Sequence, residues 1–524
     1  MNNQPSYESL LEQIIAKRKP TTVKEIEECK KEVASQLKLQ HLPTNIDLLK
    51  LLPNDDQLIS LLKLKPVKTS SGIAVIAVMA EPHNCPHGTC VYCPGGVSWG
   101  TPQSYTGSEP ASIRAQENEF DPFLQVQTRL NQLKTLGHEV GKCELIIIGG
   151  TFTGVNEDYQ INFVKRCLDA LNQKDSQNID EAKIISESSK LKTVGLTVET
   201  KPDFCKQKDI DLMLSYGTTR VELGVQALSD ESYRLTNRGH TVQDVVDSFK
   251  LAKDSGLKIV AHMMPGLPGL NYVEDLKGFQ KLFQDPQFKP DMIKVYPCLV
   301  IEGTALYGMY MKDLYKPYDE STTINLLAEV KKIVPKWVRI MRIQREIPAH
   351  AIVAGVKSSN IRQMILDEVE RRGFKCQCIR CREIGLDDAN SINSDNLKIF
   401  REDYESSDGK EIFLSYEDSS RNHIIGFLRL RLPSDDSNRS EIVKGKTSIV
   451  RELRVYGSVV PVGLKSKEKW QHQGYGSKLM AESELIAKEE FDLSKMLVIS
   501  ALGTRGYYRK FGYTLDGPYM AKNL

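Results

Sequence analysis

Three cysteines fall within nine positions in the segment HNCPHGTCVYCPGG, residues 83–96. They are Cys85, Cys90 and Cys93. Three thiolates can hold a four-iron cluster and leave one iron open to a substrate, whereas a tetrahedral zinc site takes four ligands. The segment therefore favours an iron-sulfur cluster, and a structural zinc completed by His83 or His87 is the alternative.

A second triplet occurs in FKCQCIRCRE, residues 374–383, and consists of Cys376, Cys378 and Cys381. Its spacing is typical of zinc ligands, and His350 in IPAHAIVAG is the nearest candidate for the fourth position. Three reduced thiols without a metal are the alternative. Eleven cysteines in 524 residues, six of them in two tight triplets, favour metal binding over a disulfide framework.

Two glycine-containing segments could bind charged ligands. QHQGYGSKLM, residues 471–480, has the Q-x-x-G-x-G form at a predicted helix start, where the free backbone N–H groups and the helix dipole favour a pyrophosphate. Gly149, Gly150 and Thr151 follow an apolar strand, and their backbone N–H groups and hydroxyl could bind an amino acid moiety. Each pattern alone more often marks only a turn.

The overall charge balance restricts how the chain could bind nucleic acid. Its 70 basic and 68 acidic residues nearly cancel, so such binding requires a local basic patch. We find no run of 18 apolar residues, and the N-terminus lacks the features of a secretory signal. These features predict a soluble cytoplasmic protein that does not associate with a membrane.

Six short apolar runs, separated by amphipathic stretches, predict a parallel sheet: GIAVIAVMA, ELIIIGG, TVGLTVET, RVELGVQ, KIVAHMMPG and MIKVYPCLV. A sheet covered on both faces fits a partial (βα)6 barrel in an α/β protein, with its ligands at the carboxyl ends of the strands. The cysteine loop follows the first of these strands, which places it at that end.

The chain divides into four predicted parts. A helical, basic extension precedes the barrel, and a basic cysteine-containing linker follows it. The last part shows the order strand, strand, strand, helix, strand, helix, strand, which predicts an α+β domain. The extension covers residues 1–68, the barrel 69–335, the linker 336–395 and the α+β domain 396–524.

Several motifs, taken in order, resemble the radical S-adenosylmethionine (SAM) domain of the catalytic subunit of Elongator, a family that modifies the wobble uridine of tRNA. They are CPHGTCVYCPGG, PQSYTGSEPASIRA, GGTFTG, LTVETKPDFC, RVELGVQ, HMMPGLPG and KVYPCLVIEGTALY. The chain has four residues between the first two cysteines, where the common radical SAM pattern has three. The compact loop is similar to archaeal or bacterial members.

The C-terminal segments VRELRVYGSVV, QHQGYGSKLM and GTRGYYRKFGYTLDGPYM resemble a GNAT acetyltransferase domain, which binds acetyl-CoA. By this resemblance, the backbone of β-strand residues would bind pantetheine and the acetyl group, a helix start would bind the pyrophosphate, and Tyr508 would lie near the thioester. The strand residues are Glu452, Leu453, Arg454 and Val455, and the residues at the helix start are Tyr475, Gly476 and Ser477. Lys142 would reach acetyl-CoA from the barrel.

The resemblance also implies the ligands of the barrel. A [4Fe-4S] cluster on Cys85, Cys90 and Cys93 would bind SAM and cleave it to a 5′-deoxyadenosyl radical. The residues that would line the SAM pocket are Gly149, Gly150, Thr151, Glu199 and Gln226. Glu199 and Gln226 could equally be ordinary residues of the barrel mouth.

Basic residues outline a predicted tRNA surface, with a solvated face as the alternative. The predicted contacts are Lys17, Arg18, Lys19, Arg371 and Arg372. Further members of the patch are Lys63, Lys65, Lys68, Arg339, Arg342, Arg345, Arg362, Lys375, Arg380 and Arg382.

The resemblance predicts an acyltransferase that uses SAM and acetyl-CoA to place a carboxymethyl group on carbon 5 of the tRNA wobble uridine, supported by an electron donor. A protein lysine acetyltransferase with a structural iron-sulfur cluster and a tRNA-binding scaffold without turnover are the rival functions. The catalytic base, the tRNA species, the need for accessory subunits and the oligomeric state are left open by the sequence.

Overall fold

The structure is a computed structural model that describes residues 7–39, 41–51, 56–62, 72–138, 140–344, 346–384, 396–456 and 474–524. Some residues named above lie outside the described ranges: Lys63, Lys65, Lys68, Arg345 and 471–473. Among the described residues, no helix combines the length and the apolar character that a membrane crossing requires.

The N-terminal region is helical, as predicted. Thr22 and Glu25 form a reciprocal capping box that starts the second helix. Leu11, Ile26 and Val33 share a small core with residues of the later helices. The helices are α1 (Tyr7–Arg18), α2 (Val23–Gln36), α3 (Asn45–Leu51) and α4 (Asp56–Leu62).

A parallel sheet of seven strands, counted over the described residues, forms the centre of the molecule. Its strands are, in spatial order, β1 (Ala74–Met79), β2 (Lys142–Ile148), β3 (Lys192–Thr200), β4 (Arg220–Gln226), β5 (Lys258–Met263), β6 (Met292–Val295) and β8 (Arg339–Ile343). A separate ribbon pairs β7 (Val300–Ile301) with β9 (Ile352–Ala354). Within the described ranges β1 and β8 do not pair, so the sheet is a half-barrel, in agreement with the predicted partial barrel.

The six predicted strands are confirmed, and β8 is an additional one within the segment predicted as a linker. Helices between the strands pack on the sheet through one large core that includes Val164, Leu168, Phe249 and Leu282. The helices from residue 110 to residue 382 are α5 (Pro110–Glu117), α6 (Pro122–Thr135), α7 (Glu157–Asn172), α8 (Ile179–Ser188), α9 (Gln207–Ser215), α10 (Asp230–Leu235), α11 (Val242–Asp254), α12 (Tyr272–Gln284), α13 (Ala305–Met311), α14 (Glu320–Ile333), α15 (Ile361–Arg371) and α16 (Ile379–Arg382).

The C-terminal sheet is mostly antiparallel, and only β13 and β14 run parallel. Its elements are β10 (Leu397–Ser406), β11 (Gly409–Asp418), β12 (Ile424–Leu432), β13 (Thr447–Val455), α17 (Tyr475–Leu485), β14 (Lys495–Val498), α18 (Arg505–Arg509), β15 (Thr514–Asp516) and β16 (Tyr519–Asn523). It has one strand more before α17 and one more after α18 than we predicted. Two-residue turns explain this, since Ser407–Asp408 joins β10 to β11 and Gly517–Pro518 joins β15 to β16.

Buried ion pairs fix the C-terminal sheet against the half-barrel. Arg451 donates to Asp291 at 3.0 Å, and Arg429 lies 3.6 Å from the same carboxylate. Arg431 donates to Asp254 at 2.6 Å. Because breaking such a pair leaves an uncompensated buried charge, these contacts strongly restrict how the two sheets can move relative to each other.

Candidate active site

The cysteine loop lies at the carboxyl end of the half-barrel, as predicted. Cys85 lines a cavity of about 220 Å³, which we call the cysteine cavity, together with residues from the ends of the strands such as Gly150, Lys201 and Gln226. The sulfurs of the three loop cysteines do not form a set within 4.8 Å of one another. A tetrahedral zinc takes four ligands, so the set of three cysteines fits a four-iron cluster with one open iron better than a single zinc.

Two side chains that the sequence analysis missed hold the loop in shape. Gln103 accepts a hydrogen bond from the Cys85 backbone N–H at 2.6 Å and donates to the Thr89 hydroxyl at 2.9 Å. Asn237 donates to the Thr89 carbonyl at 2.9 Å. Gln103 belongs to the PQSYTGSEPASIRA motif, whereas Asn237 lies 148 positions from its partner and belongs to no local motif.

The charges around the loop favour an anionic group. The buried Arg238 guanidinium lies 3.6 Å from Cys90 Sγ, and the Ser104 backbone N–H donates to Cys93 Sγ at 3.0 Å. Burial raises the pKa of Cys93 to about 11, so that thiol is protonated at neutral pH unless a metal replaces the proton. Burial lowers the pKa of His87 to about 3, so its ring is neutral beside Cys90.

Gly149, Gly150 and Thr151 lie next to the cysteine loop. The Thr151 hydroxyl is 3.4 Å from Cys85 Sγ, and a Cβ on Gly150 would be 3.6 Å from the same sulfur. Gly150 has φ +80°, which favours glycine. Because Gly150 has no side chain, the backbone of this turn lies close to the predicted cluster position.

Glu199 and Gln226 also line the cysteine cavity, as predicted. Glu199 accepts a hydrogen bond from the Tyr105 hydroxyl at 2.8 Å. Gln226 has φ +69°, and its buried Oε1 has no hydrogen-bond partner among the described residues. A strained backbone and an unsatisfied polar atom are typical of a ligand-binding position.

Sequence analysis missed a charged group deeper in the same cavity. His262 Nε2 lies 2.8 Å from the Glu222 carboxylate, which also contacts the Lys294 ammonium. Burial opposes ionisation of Glu222, but Lys294 and His262 outweigh it and hold the pKa of that carboxyl below its usual value. Glu199, Glu222 and His262 could together ligate a metal, but Lys294 already supplies the compensating cation.

A second cavity, of about 150 Å³, lies between the C-terminal sheet and the amino-terminal end of the half-barrel, and we call it the inter-sheet cavity. It forms because β13 and β14 pair only from Thr447 to Val450 and from Lys495 to Val498. Beyond these pairs, Leu453 and Arg454 of β13 line the cavity with Tyr508. The gap exposes the backbone of β13 in the way that the predicted pantetheine site requires.

The predicted pyrophosphate site is the start of α17. Tyr475, Gly476 and Ser477 form its first turn, and Gly474 precedes it with φ +86°. A Cβ on Gly476 would lie 2.7 Å from the Tyr507 hydroxyl and 3.7 Å from a Val455 methyl. The helix start therefore packs closely on the end of β13, so both predicted binding segments belong to one cleft.

The half-barrel contributes its own side chains to the inter-sheet cavity, and the sequence analysis missed them: Glu144, Arg220 and Lys258. Burial lowers the pKa of Lys258 to about 8. Predicted Lys142 is not among the lining residues but lies two positions before Glu144 on β2, at the same end of the sheet. Burial also lowers the pKa of Lys142.

Comparisons with known proteins agree with this arrangement. Residues 82–282 match the Radical SAM superfamily and residues 290–371 the Radical SAM C-terminal domain. Residues 6–70 match the ELP3 N-terminal domain and residues 379–513 the acetyltransferase (GNAT) family. The tRNA uridine(34) acetyltransferase of Methanocaldococcus jannaschii is 48% identical over 491 residues, which are 92% of this chain and 90% of that protein. The chain belongs to the Elp3 family.

Other Elp3 family members are similar over most of the chain. Elongator complex protein 3 of Drosophila melanogaster is 47% identical over 504 residues, 94% of this chain and 90% of that protein. The solved structure of the archaeal Methanocaldococcus infernus Elp3, with an N-terminal deletion, superimposes with a TM-score of 0.76 at 45% identity. It covers 87% of this chain and 100% of that chain. The predicted family, and the radical SAM and GNAT folds, are confirmed.

The second cysteine triplet of this Elp3 family chain forms a compact group. The sulfurs of Cys376, Cys378 and Cys381 lie within 4.8 Å of one another, close enough to hold one ion. Hydrogen bonds from Cys376 and Cys381 lower the pKa of the Cys378 thiol. His350 does not join this group in the described part of the chain, so the structure does not support it as the fourth ligand.

The structure changes the predicted basic surface. Arg339 and Arg382 are buried, where Arg339 pairs with Glu383 and Arg382 with Glu417, so neither can reach a phosphate. Sequence analysis could not foresee this because the partners are distant in sequence.

The predicted tRNA contacts differ in how available their charges are. The side chain of Arg371 is 72% exposed and pairs with Glu368 at 2.7 Å, whereas Arg372 is 22% exposed and pairs with Glu329 and Glu368 at 2.6 Å. At the end of α1, Lys17 and Lys19 are exposed, and Arg18 pairs with Glu32 at 2.6 Å. Of the three arginines, each of which forms an ion pair, Arg371 is therefore the most exposed.

Proposed function

We propose that this chain is a tRNA-modifying acyltransferase that places a carboxymethyl group on carbon 5 of the wobble uridine, with SAM and acetyl-CoA as co-substrates. The inter-sheet cavity supports this function most directly, because the half-barrel and the C-terminal sheet both line it. A ligand bound there contacts both modules. The named activity of the Methanocaldococcus jannaschii relative agrees with a tRNA substrate.

The cysteine loop fits a [4Fe-4S] cluster held by Cys85, Cys90 and Cys93. The donor set and the nearby Arg238 cation both suit a multi-iron anionic group. When bound, the cluster supplies the electron that cleaves SAM to a 5′-deoxyadenosyl radical, and an external electron donor must provide that electron. Gly149, Gly150 and Thr151 would bind the amino acid end of SAM, and Glu199 and Gln226 would line its pocket.

Acetyl-CoA would occupy the cleft between β13 and α17. The backbone of Glu452 to Val455 would bind the pantetheine, the α17 start would bind the pyrophosphate, and Tyr508 would cover the thioester. The radical would take a hydrogen atom from the acetyl methyl, and the resulting carbon radical would add to carbon 5 of uridine. The adduct would then lose the proton of carbon 5 and return its unpaired electron to the cluster, which restores the uracil ring. Hydrolysis of the thioester then leaves the carboxymethyl group.

The predicted domain division fits this function. Residues 1–68 and the basic part of 336–395 would contact tRNA, 69–335 would bind the cluster and SAM, and 396–524 would bind acetyl-CoA. The proposed tRNA contacts remain Lys17, Arg18, Lys19, Arg371 and Arg372. Of the last two residues, Arg371 is the more exposed.

Reversing the charge of Arg371 should weaken tRNA binding in a salt-dependent way. Counterion release makes log affinity fall linearly with log salt, and Arg371→Glu should flatten that slope by about 1. Fluorescence titrations of tRNA at several salt concentrations give the slope. Lys488→Glu, an exposed change in the helical segment that follows α17, is the matched control. An unchanged slope for Arg371→Glu would remove this residue from the tRNA surface.

We also propose that Cys376, Cys378 and Cys381 bind zinc. Cys378→Ser should remove about one zinc per chain and leave the iron content unchanged, since two thiolates hold zinc poorly. Metal analysis of the purified variant, with Cys143→Ser as a buried cysteine outside both triplets, measures this. Equal zinc content in the wild-type and Cys378→Ser proteins would show that the triplet holds no zinc.

Nucleoside analysis of tRNA after anaerobic turnover tests the proposed function. A carboxymethyluridine product supports it. A protein lysine acetyltransferase would instead acetylate a peptide, and that activity would survive loss of the three loop cysteines.

A further inference from the structure

One buried arginine lies between the two cavities. Arg220 lines the inter-sheet cavity and forms an ion pair with Glu144. Its Nη2 also lies 3.9 Å from Oε1 of Glu222, which lines the cysteine cavity. A single side chain, 2% exposed, therefore reaches the walls of both cavities.

The strand register places the cavities close together. Parallel pairing aligns Thr197, Arg220 and Lys258 side by side, and aligns Glu199 with Glu222 two residues further along. Arg220 and Lys258 line the inter-sheet cavity, whereas Glu199 and Glu222 line the cysteine cavity. Two residues of a strand span about 7 Å, so one layer of side chains separates the two spaces.

That layer contains polar atoms without partners. Nε and Nη2 of Arg220, the Thr197 hydroxyl and Oε1 of Glu222 are buried and make no hydrogen bond with any described residue. Buried polar groups in native proteins are nearly always satisfied, and an unsatisfied guanidinium N–H is costly. Two unused arginine donors are therefore available to an oxygen of a ligand.

We propose that the interior of the half-barrel is the passage in which the acetyl group meets the SAM-derived radical, and that Arg220 binds the thioester carbonyl oxygen of acetyl-CoA. This inference rests on the proposed function. Leu453, Arg454 and Tyr508 line the same cavity as Arg220, so the acyl end of a ligand in the β13 cleft comes to the guanidinium.

With its carbonyl oxygen on Arg220, the acetyl group directs its methyl toward Glu222 and the cysteine cavity. One methyl C–H bond then breaks and one C–H bond forms at carbon 5′ of the adenosyl radical. The products are 5′-deoxyadenosine and a thioester with an unpaired electron on its terminal carbon. One hydrogen atom moves, so no oxidant or reductant is needed for this step.

Arg220→Gln tests the binding role with a measurement that does not depend on turnover. The cluster-loaded protein is titrated with acetyl-CoA and with free CoA. The ratio of the affinity for acetyl-CoA to the affinity for free CoA should fall about tenfold in the variant, because the hydrogen bond from the charged guanidinium is lost. Affinity for free CoA should stay at the wild-type value. Arg166→Gln, a half-exposed arginine on α7 that lines neither cavity, is the matched control.

Transfer of deuterium from methyl-deuterated acetyl-CoA into 5′-deoxyadenosine tests the passage. Transfer should fall about tenfold in Arg220→Gln. Thr197→Leu keeps the Arg220 and Glu144 pair but fills the layer between the cavities, so it should reduce transfer to a similar degree while acetyl-CoA affinity is unchanged.

The outcomes separate the two proposals. Wild-type acetyl-CoA preference in Arg220→Gln, or wild-type deuterium transfer in a folded Thr197→Leu protein, would overturn the passage and leave the proposed function standing. If the wild-type protein cleaves SAM and binds acetyl-CoA but transfers no deuterium, the proposed function itself is overturned.

Discussion

Replacing Cys90 with alanine is expected to remove the iron-sulfur cluster and to reduce SAM cleavage at least about 10⁴-fold, as when one member of a catalytic unit is deleted. Cys90 is nearly buried and lies beside His87 at 3.2 Å and Arg238 at 3.6 Å. Without its thiolate, two cysteines remain to hold the cluster, and the Arg238 charge loses its partner. Iron analysis and quantification of 5′-deoxyadenosine measure both effects.

The fold should survive this change, because the loop lies outside the core of the half-barrel. Cys205→Ala is the matched control, since Cys205 is a fully buried free cysteine that lines neither cavity. It should retain its iron and its SAM cleavage. Full iron content with undiminished cleavage in Cys90→Ala would contradict the cluster assignment.

Tyr508→Ala is expected to reduce carboxymethyluridine formation about a hundredfold while iron content stays at the wild-type level. Tyr508 is 7% exposed, lines the inter-sheet cavity and packs edge-on against Tyr507 with ring centres 5.3 Å apart. Its removal leaves the acetyl group loosely held, and a misplacement of about 1 Å can cost that much in rate. Product analysis and acetyl-CoA titration measure the loss.

Lys142→Ala should give the same phenotype if acetyl-CoA reaches the half-barrel, although Lys142 lies on β2 of the half-barrel and Tyr508 on α18 of the C-terminal domain. Tyr272→Ala, which removes a tyrosine that lines neither cavity, serves as control. Wild-type acetyl-CoA affinity in Lys142→Ala would exclude that lysine from the binding site. Wild-type product formation in Tyr508→Ala would exclude the tyrosine.

Local patterns predicted the half-barrel because six of its strands are nearly continuous apolar runs. The strand Arg339–Ile343 escaped prediction because its sequence RIMRI contains two arginines. The fold gives each arginine a polar environment, with Arg342 at the cysteine cavity and Arg339 donating to the Tyr456 hydroxyl at 2.8 Å. In a sequence, charged residues that will lie inside a barrel cannot be distinguished from surface residues until their partners are known.

The candidate site shows the same limit. Cys85, Gly150 and Gly476 belong to compact motifs, so the sequence analysis found them. Asn237 and Arg220 act through partners far away in the chain, and no spacing rule identifies such residues. The basic segment near Arg382 illustrates the converse, because a charge that appeared free is buried against Glu417.

The most direct test of the account is nucleoside mass spectrometry of tRNA after anaerobic incubation of the iron- and sulfide-reconstituted protein with SAM, acetyl-CoA carrying ¹³C in its acetyl group, and a reductant. The account predicts 5-carboxymethyluridine at the wobble position with both acetyl carbons labelled, and no such product when SAM or acetyl-CoA is omitted. An unmodified wobble uridine, in a preparation that binds tRNA, cleaves SAM and binds acetyl-CoA, would contradict it.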